Sequence, residues 1–109
     1  MKIATARIVL SLPGNASLKG KRKIVRRILD RARHRFNAAI AEVDELDVLT
    51  RAVLGIAVVS NDARHANSMI DTVQEFVATA SEAVVIDRRM ELLHVGDLDD
   101  EWQGSGDDG

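Results

Sequence analysis

Residues 51–60, RAVLGIAVVS, decide the fold. Only the two ends of this ten-residue stretch are polar, and Val53, Ile56, Val58 and Val59 are β-branched. A continuous apolar run of this length, rich in β-branched residues, reads as a central strand. Just before it, Asp44-Glu45-Leu46-Asp47 makes an acidic connection, and residues 38–43, AAIAEV, read as a short strand. Just after it, Ser60-Asn61-Asp62 offers caps for a helix whose apolar stripe is Ala66, Met69, Ile70, Val73, Val77 and Ala80, with Phe76 at its edge. Residues 83–95 read as a last strand with Val84, Ile86, Met90 and Leu92 on one face. Arg88 interrupts that face, so a bulge or an edge position is expected there.

The N-terminal third completes the pattern. Ala4, Ala6, Ile8, Leu10 and Leu12 alternate with Thr5, Arg7, Val9 and Ser11, which makes residues 1–12 a strand with one strongly apolar face. Pro13-Gly14-Asn15 ends it. Ser17 is placed to cap a helix over residues 17–36, SLKGKRKIVRRILDRARHRF, and Asn37 to close it. The stripe of that helix is Ile24, Val25, Ile28, Leu29, Ala32 and Phe36. The order strand-helix-strand-strand-helix-strand specifies an α+β fold of the ferredoxin-like βαββαβ type. The expected result is a four-stranded antiparallel sheet with two helices on one face.

The first helix is also the most charged part of the chain. It holds nine of the fifteen Lys and Arg residues and one acid, Asp30. Lys19, Arg22, Lys23, Arg26, Arg27 and Arg33 fall on the arc opposite the stripe. One acid cannot neutralise nine bases by i,i+4 pairing. The two readings are a solvated face, paired in part with Glu42, Glu45 or Asp47, and a surface for a polyanion. On the second reading Lys19, Lys21, Arg22, Lys23, Arg26, Arg27, Arg31 and Arg33 contact phosphates, and backbone N–H groups at Ser17, Leu18 and Lys19 hold one anion at the helix N-terminus.

The net charge of −2 conceals an asymmetry. Residues 96–109, GDLDDEWQGSGDDG, carry six acids and no base, so without them residues 1–95 stand at +4. We expect a single domain over 1–95 and an acidic, disordered tail over 96–109. The chain has no cysteine, which excludes disulfides, thiolate nucleophiles and Cys-based metal sites. No apolar run reaches the ~18 residues of a membrane helix, and residues 1–12 with Arg7 inside them do not read as a signal peptide. A soluble, cytoplasmic protein is the expectation.

Several strings together carry a family resemblance: Leu12-Pro13-Gly14, Ser17-Leu18-Lys19 with Lys21-Arg22, Phe36-Asn37, Ala41-Glu42-Val43-Asp44, residues 51–57 RAVLGIA and Val59-Ser60-Asn61-Asp62. In order and spacing they resemble the YlxP-like family, small bacterial proteins of unknown function, over about residues 1–95. Gly20 departs from that pattern, where an acidic residue is more usual. The resemblance implies a ferredoxin-like fold and no established activity. It also implies an association with translation, because members are often encoded near translation initiation factor two and ribosome-binding factor A.

No catalytic constellation is found. Residues 14–22, GNASLKGKR, follow a strand and open a helix as a P-loop does, but five residues separate the glycines where four are needed, and Arg22 stands where Ser or Thr would hold magnesium. His34, His65 and His94 have no second His at i+3 or i+4. The acids at 42, 44, 45 and 47 lack the glycine and final glutamate of a calcium loop. Phe36, Phe76 and Trp102 are the only aromatics and none lies in a central strand, so the sheet is not a base-stacking platform. We therefore expect no cofactor, no metal, no membrane partner and no identified small-molecule substrate. The leading expectation is a non-enzymatic RNA- or ribosome-associated protein. The alternative is a protein-interaction or structural module acting through the free sheet face. An enzyme is the remaining reading. On the free face the sequence places Thr5, Val9, Ala39, Ala41, Val43, Val53, Ala57, Val59 and Val85, with Arg7 and Arg89. So apolar a face predicts a homo-oligomer, most simply a dimer through Val9, Val43, Val53, Val59 and Val85.

Overall fold

The computed structural model describes residues 1–79 and 83–96. Six elements follow in the expected order: β1 (Lys2–Ser11), α1 (Leu18–Arg35), β2 (Ala39–Asp44), β3 (Arg51–Ser60), α2 (Ala63–Thr79) and β4 (Val84–His94). The strands form one antiparallel sheet in the order β2-β3-β1-β4. This is the ferredoxin-like arrangement, with β1 and β3 central and β2 and β4 at the edges. Ala80 and the tail beyond Gly96 lie outside the described residues. Among the described residues, no helix is long and apolar enough to cross a membrane.

The core lies between the sheet and the helices, and it is built from the alternation read in the strands. Ala4, Ala6, Ile8 and Leu10 of β1 meet Ala52, Leu54, Ile56 and Val58 of β3 and Ile40 of β2. Val25, Ile28 and Ala32 of α1 and Ala66, Ile70, Val73 and Val77 of α2 close over them. Small alanines on β1 let the helices approach the sheet, while each fully buried Ile or Leu contributes about 1.5–3 kcal/mol from burial alone. α2 lies over β1 and β3 and reaches β4, whereas α1 lies over β2.

Two element ends differ from the sequence reading. α1 closes at Phe36, not Asn37: Phe36 is extended (φ −124°, ψ 147°) and its N–H donates to Ala32 O at 2.9 Å. Leaving the helix there turns the Phe36 ring edge-on to Phe76 of α2, centroids 5.3 Å apart, with the Arg35 guanidinium beside both rings. The expected irregularity in β4 is present. The β1–β4 register shifts between Val9, opposite Asp87, and Leu10, opposite Val85, so Ile86 is the extra residue.

That bulge, and β3, correct the free sheet face. Val85 does not belong to it. It stands opposite Leu10 and packs against the core on the helix side. Val9 and Val53 do lie on it but are already buried in the single chain, at 8% and 0% exposure. Val53 has Val9 opposite on β1 and Asp44 opposite on β2, and the ion pairs Arg7–Asp44 (3.6 Å) and Arg51–Glu45 flank it. The Glu45 carboxylate, by its hydrogen bond and then its charge, raises the pKa of Arg51. Of the five valines expected to form an oligomer face, only Val43 and Val59 remain exposed.

Candidate nucleic-acid interface

α1 is positioned by its own first turn. Gly14 sits at φ +78°, a conformation that favours glycine, and aims Asn15 back at the helix. The Asn15 Nδ2 donates to Ser17 O at 2.9 Å and to Leu49 O at 2.6 Å, tying the helix entry to the β2–β3 loop. Ser17 is the N-cap: its hydroxyl accepts the Gly20 N–H at 3.0 Å. Gly20 leaves room for this latch, because a Cβ there would run into Asn15 Oδ1. The chain's own oxygens at Asn15 and Ser17 thus occupy the end of the helix where the sequence placed an anion on Ser17, Leu18 and Lys19. Leu18 is half-buried, while Lys19 is exposed and points its charge outward from the same turn.

Lys21 corrects the list of phosphate contacts. It is 1% exposed, the most buried charged side chain in the core. Its ammonium donates to Glu45 O at 2.6 Å and Leu46 O at 3.2 Å. Glu42 Oε2 lies 3.0 Å away, off line for a hydrogen bond, so that contact is Coulombic. Lys21 holds the β2–β3 loop against α1 and is unavailable to a ligand. The spacing contains the warning: the buried residues of α1 are Lys21, Val25, Ile28 and Ala32, an i, i+4, i+7, i+11 series. Its charge hid it from a reading by hydropathy.

The other cations form one outer surface. Lys19, Arg22, Lys23, Arg26 and Arg31 are exposed and Arg27 half-buried; with Asp30 they line a shallow channel of about 620 Å³ along the helix. A second hollow of about 270 Å³, between α1 and β2, is lined by Arg22, Arg26, Asp30, Arg33 and Glu42. Arg33 is anchored at its rim, its Nη2 donating to Ile40 O at 2.7 Å. Successive helical turns set the Cβ atoms of these residues about 5–6 Å apart. The arrangement can do electrostatic work on an extended polyanion.

The acidic turn does not converge on a cation. Glu42 serves Lys21, Asp44 serves Arg7 and Glu45 serves Arg51. Among the described residues no three acidic or histidine side chains are placed to hold a metal. His34, His65 and His94 lie on α1, α2 and β4 respectively. The free sheet face carries a separate shallow cleft of about 570 Å³. Its floor includes Ala39, Ala41, Gly55 and Ala57 and its sides Arg7, Arg89 and Glu91. Gly55 is small by necessity, since a Cβ there would stand 2.8 Å from Val43 Cγ1.

The chain has a structural counterpart and a sequence family. A de novo designed protein with a ferredoxin fold superposes with a TM-score of 0.52 over 90% of both chains, at 17% identity, which supports the fold alone. The uncharacterized protein YlxP of Bacillus subtilis (strain 168) is 35% identical over 66 residues, covering 61% of this chain and 72% of that one. Residues 3–90 match the model of a family described as protein of unknown function (DUF503). From the first core strand to the middle of the last one, then, the chain is a member of that YlxP-like DUF503 family.

Proposed function

We propose that this protein is a non-enzymatic RNA- or ribosome-associated accessory protein of the cytoplasm that binds phosphates through the outer face of α1. The observation that carries the reading is the row of exposed cations Lys19, Arg22, Lys23, Arg26 and Arg31 on one rigid, doubly anchored helix. A helix fixed in its first turn by Asn15 and Lys21 and near its last turn by Arg33 holds its outer charges in constant register. Contacts of this kind go to phosphates and shape and carry little base specificity. Affinity for a structured RNA should fall with salt by ~0.7–0.9 in log K per phosphate contact for each decade. Reversing Arg22 and Arg26 to Glu should lower that slope by about 1.4–1.8, two contacts' worth. Absence of binding to structured RNA at low salt in a filter-binding titration ends the reading.

The small-residue cleft on the sheet face favours a second reading, a protein-interaction module. On that reading Val59→Asp, beside the cleft, abolishes function while the Arg22 and Arg26 reversals leave it intact. A crosslinking pull-down from the native cells separates the two: ribosomal RNA in one case, a single protein without RNA in the other.

A further inference from the structure

Much of the exposed apolar surface lies along one sheet edge. Nine large apolar side chains are exposed among the described residues, and five of them, Val84, Ile86, Met90, Leu93 and Val95, belong to β4 and the residue just after it. β4 is eleven residues long and, among the described strands, pairs on one side only. The opposite edge, β2, is blunted: it has six residues, a register shift and an acidic end at Asp44. β4 has no lysine, proline or glycine, its bulge lies near its start at Ile86, and its charges are two acids and two arginines, Asp87, Glu91, Arg88 and Arg89, which an opposed strand can pair. Its bulge at Ile86 leaves Asp87 to His94 as a regular ladder against β1.

We propose that a second copy of this chain pairs antiparallel along β4, joining the two sheets into one of eight strands. A two-fold antiparallel pairing places each residue opposite one from the same face, so the sum of the paired numbers is even. The register with β1 puts Asp87, Arg89, Glu91 and Leu93 on the free face, and Arg88, Met90 and Leu92 on the helix face. Arg88 confirms this, because it reaches Glu75 of α2 at 3.1 Å. Centring the pair on Arg89 sets Arg89 against Arg89 and Asp87 against Glu91, which is repulsive. Centring it on Glu91 sets Glu91 against itself. Centring it on Arg88 brings the bulged Ile86 into the ladder. Centring it on Met90 avoids all three: Arg89 meets Glu91 of the second copy twice, Met90 meets Met90, and Asp87 to Leu93 pair in full. Arg89, at 77% side-chain exposure, can exchange its single long contact with Asp87, 3.4 Å, for that partner.

The chain has no native cysteine, so the register can be read by crosslinking. Met90→Cys should form a disulfide dimer under mild oxidation, since directly opposed strand residues have the Cα separation a disulfide requires. Val59→Cys, exposed on the sheet face away from β4, should form no disulfide crosslink under the same treatment. By sedimentation velocity the wild-type chain should be a dimer at about 100 µM, a concentration that assembles micromolar complexes. Glu91→Arg should weaken association about tenfold through the new like-charge pair. Adding Arg89→Glu to it should restore the wild-type constant. A wild-type monomer at that concentration overturns the proposal whatever the variants do. So does crosslinking through Val59→Cys in place of Met90→Cys, or a Glu91→Arg defect that the charge swap leaves unrepaired.

Discussion

α1 and α2 are amphipathic helices of 18 and 17 residues laid on the same sheet face, and each buries one long polar side chain in its stripe. α1 buries Lys21 and satisfies it, with two carbonyls and a carboxylate. α2 buries Gln74, and its Oε1 meets no hydrogen-bond donor among the described residues. The first group fastens a helix to a loop. The second costs stability, because a desolvated acceptor loses its water without a replacement. The difference teaches that burial alone does not say whether a polar residue supports a fold. Its partners decide the sign.

The largest effect should come from breaking the α1 side. Lys21→Met should lower unfolding free energy by about 3 kcal/mol, the low end for breaking a buried pair, since Glu42 keeps some exposure. Urea denaturation followed by circular dichroism measures it, and Glu42→Gln in the same chain should return part of the loss. The matching change on α2 should have the opposite sign. Gln74→Met keeps the volume, removes the orphan oxygen and should add about 1 kcal/mol by the same measurement. If both variants destabilise equally, the contrast between the helices is wrong.

A smaller test concerns the entry to α1. Gly→Ala inside a helix ordinarily gains up to about 1 kcal/mol. Gly20→Ala should instead lose about 1 kcal/mol, because the new Cβ displaces Asn15 and its two hydrogen bonds. In an Asn15→Ala background the same substitution should turn stabilising, which a double-mutant cycle would show as coupling. The smallest effect is expected on the outer side of α2. Arg88→Ala removes an exposed pair with Glu75 and should change stability by less than about 0.5 kcal/mol.

The elements were legible because their periodicities are strong. Residues 51–60 form β3 with the boundaries read from the run of apolar residues, and the capping role of Ser17 follows from its place before the cationic helix. Asp62, read as a cap, accepts the Arg64 N–H at 3.2 Å. The cationic surface was legible for the same reason, since an apolar stripe leaves the remaining arc to solvent. Lys21 was misread because hydropathy sorts residues one at a time, while its burial depends on carbonyls from residues 45 and 46. Val85 was misread because one bulge at Ile86 reverses the facing of every residue beyond it.

By itself, then, the sequence determined the order of elements, the central place of β3, the core stripes and the concentration of positive charge on α1. These follow from local spacing and composition, which a chain carries whatever its tertiary contacts. Only the tertiary structure decided which lysine is buried, where β4 shifts register, and that Val9 and Val53 are covered within one chain. Each depends on atoms brought together from distant positions: Lys21 with residues 42 to 46, Asp87 with Val9, and Val53 with Asp44. No period along the chain encodes those meetings, because they arise when the sheet closes and its edges take their places.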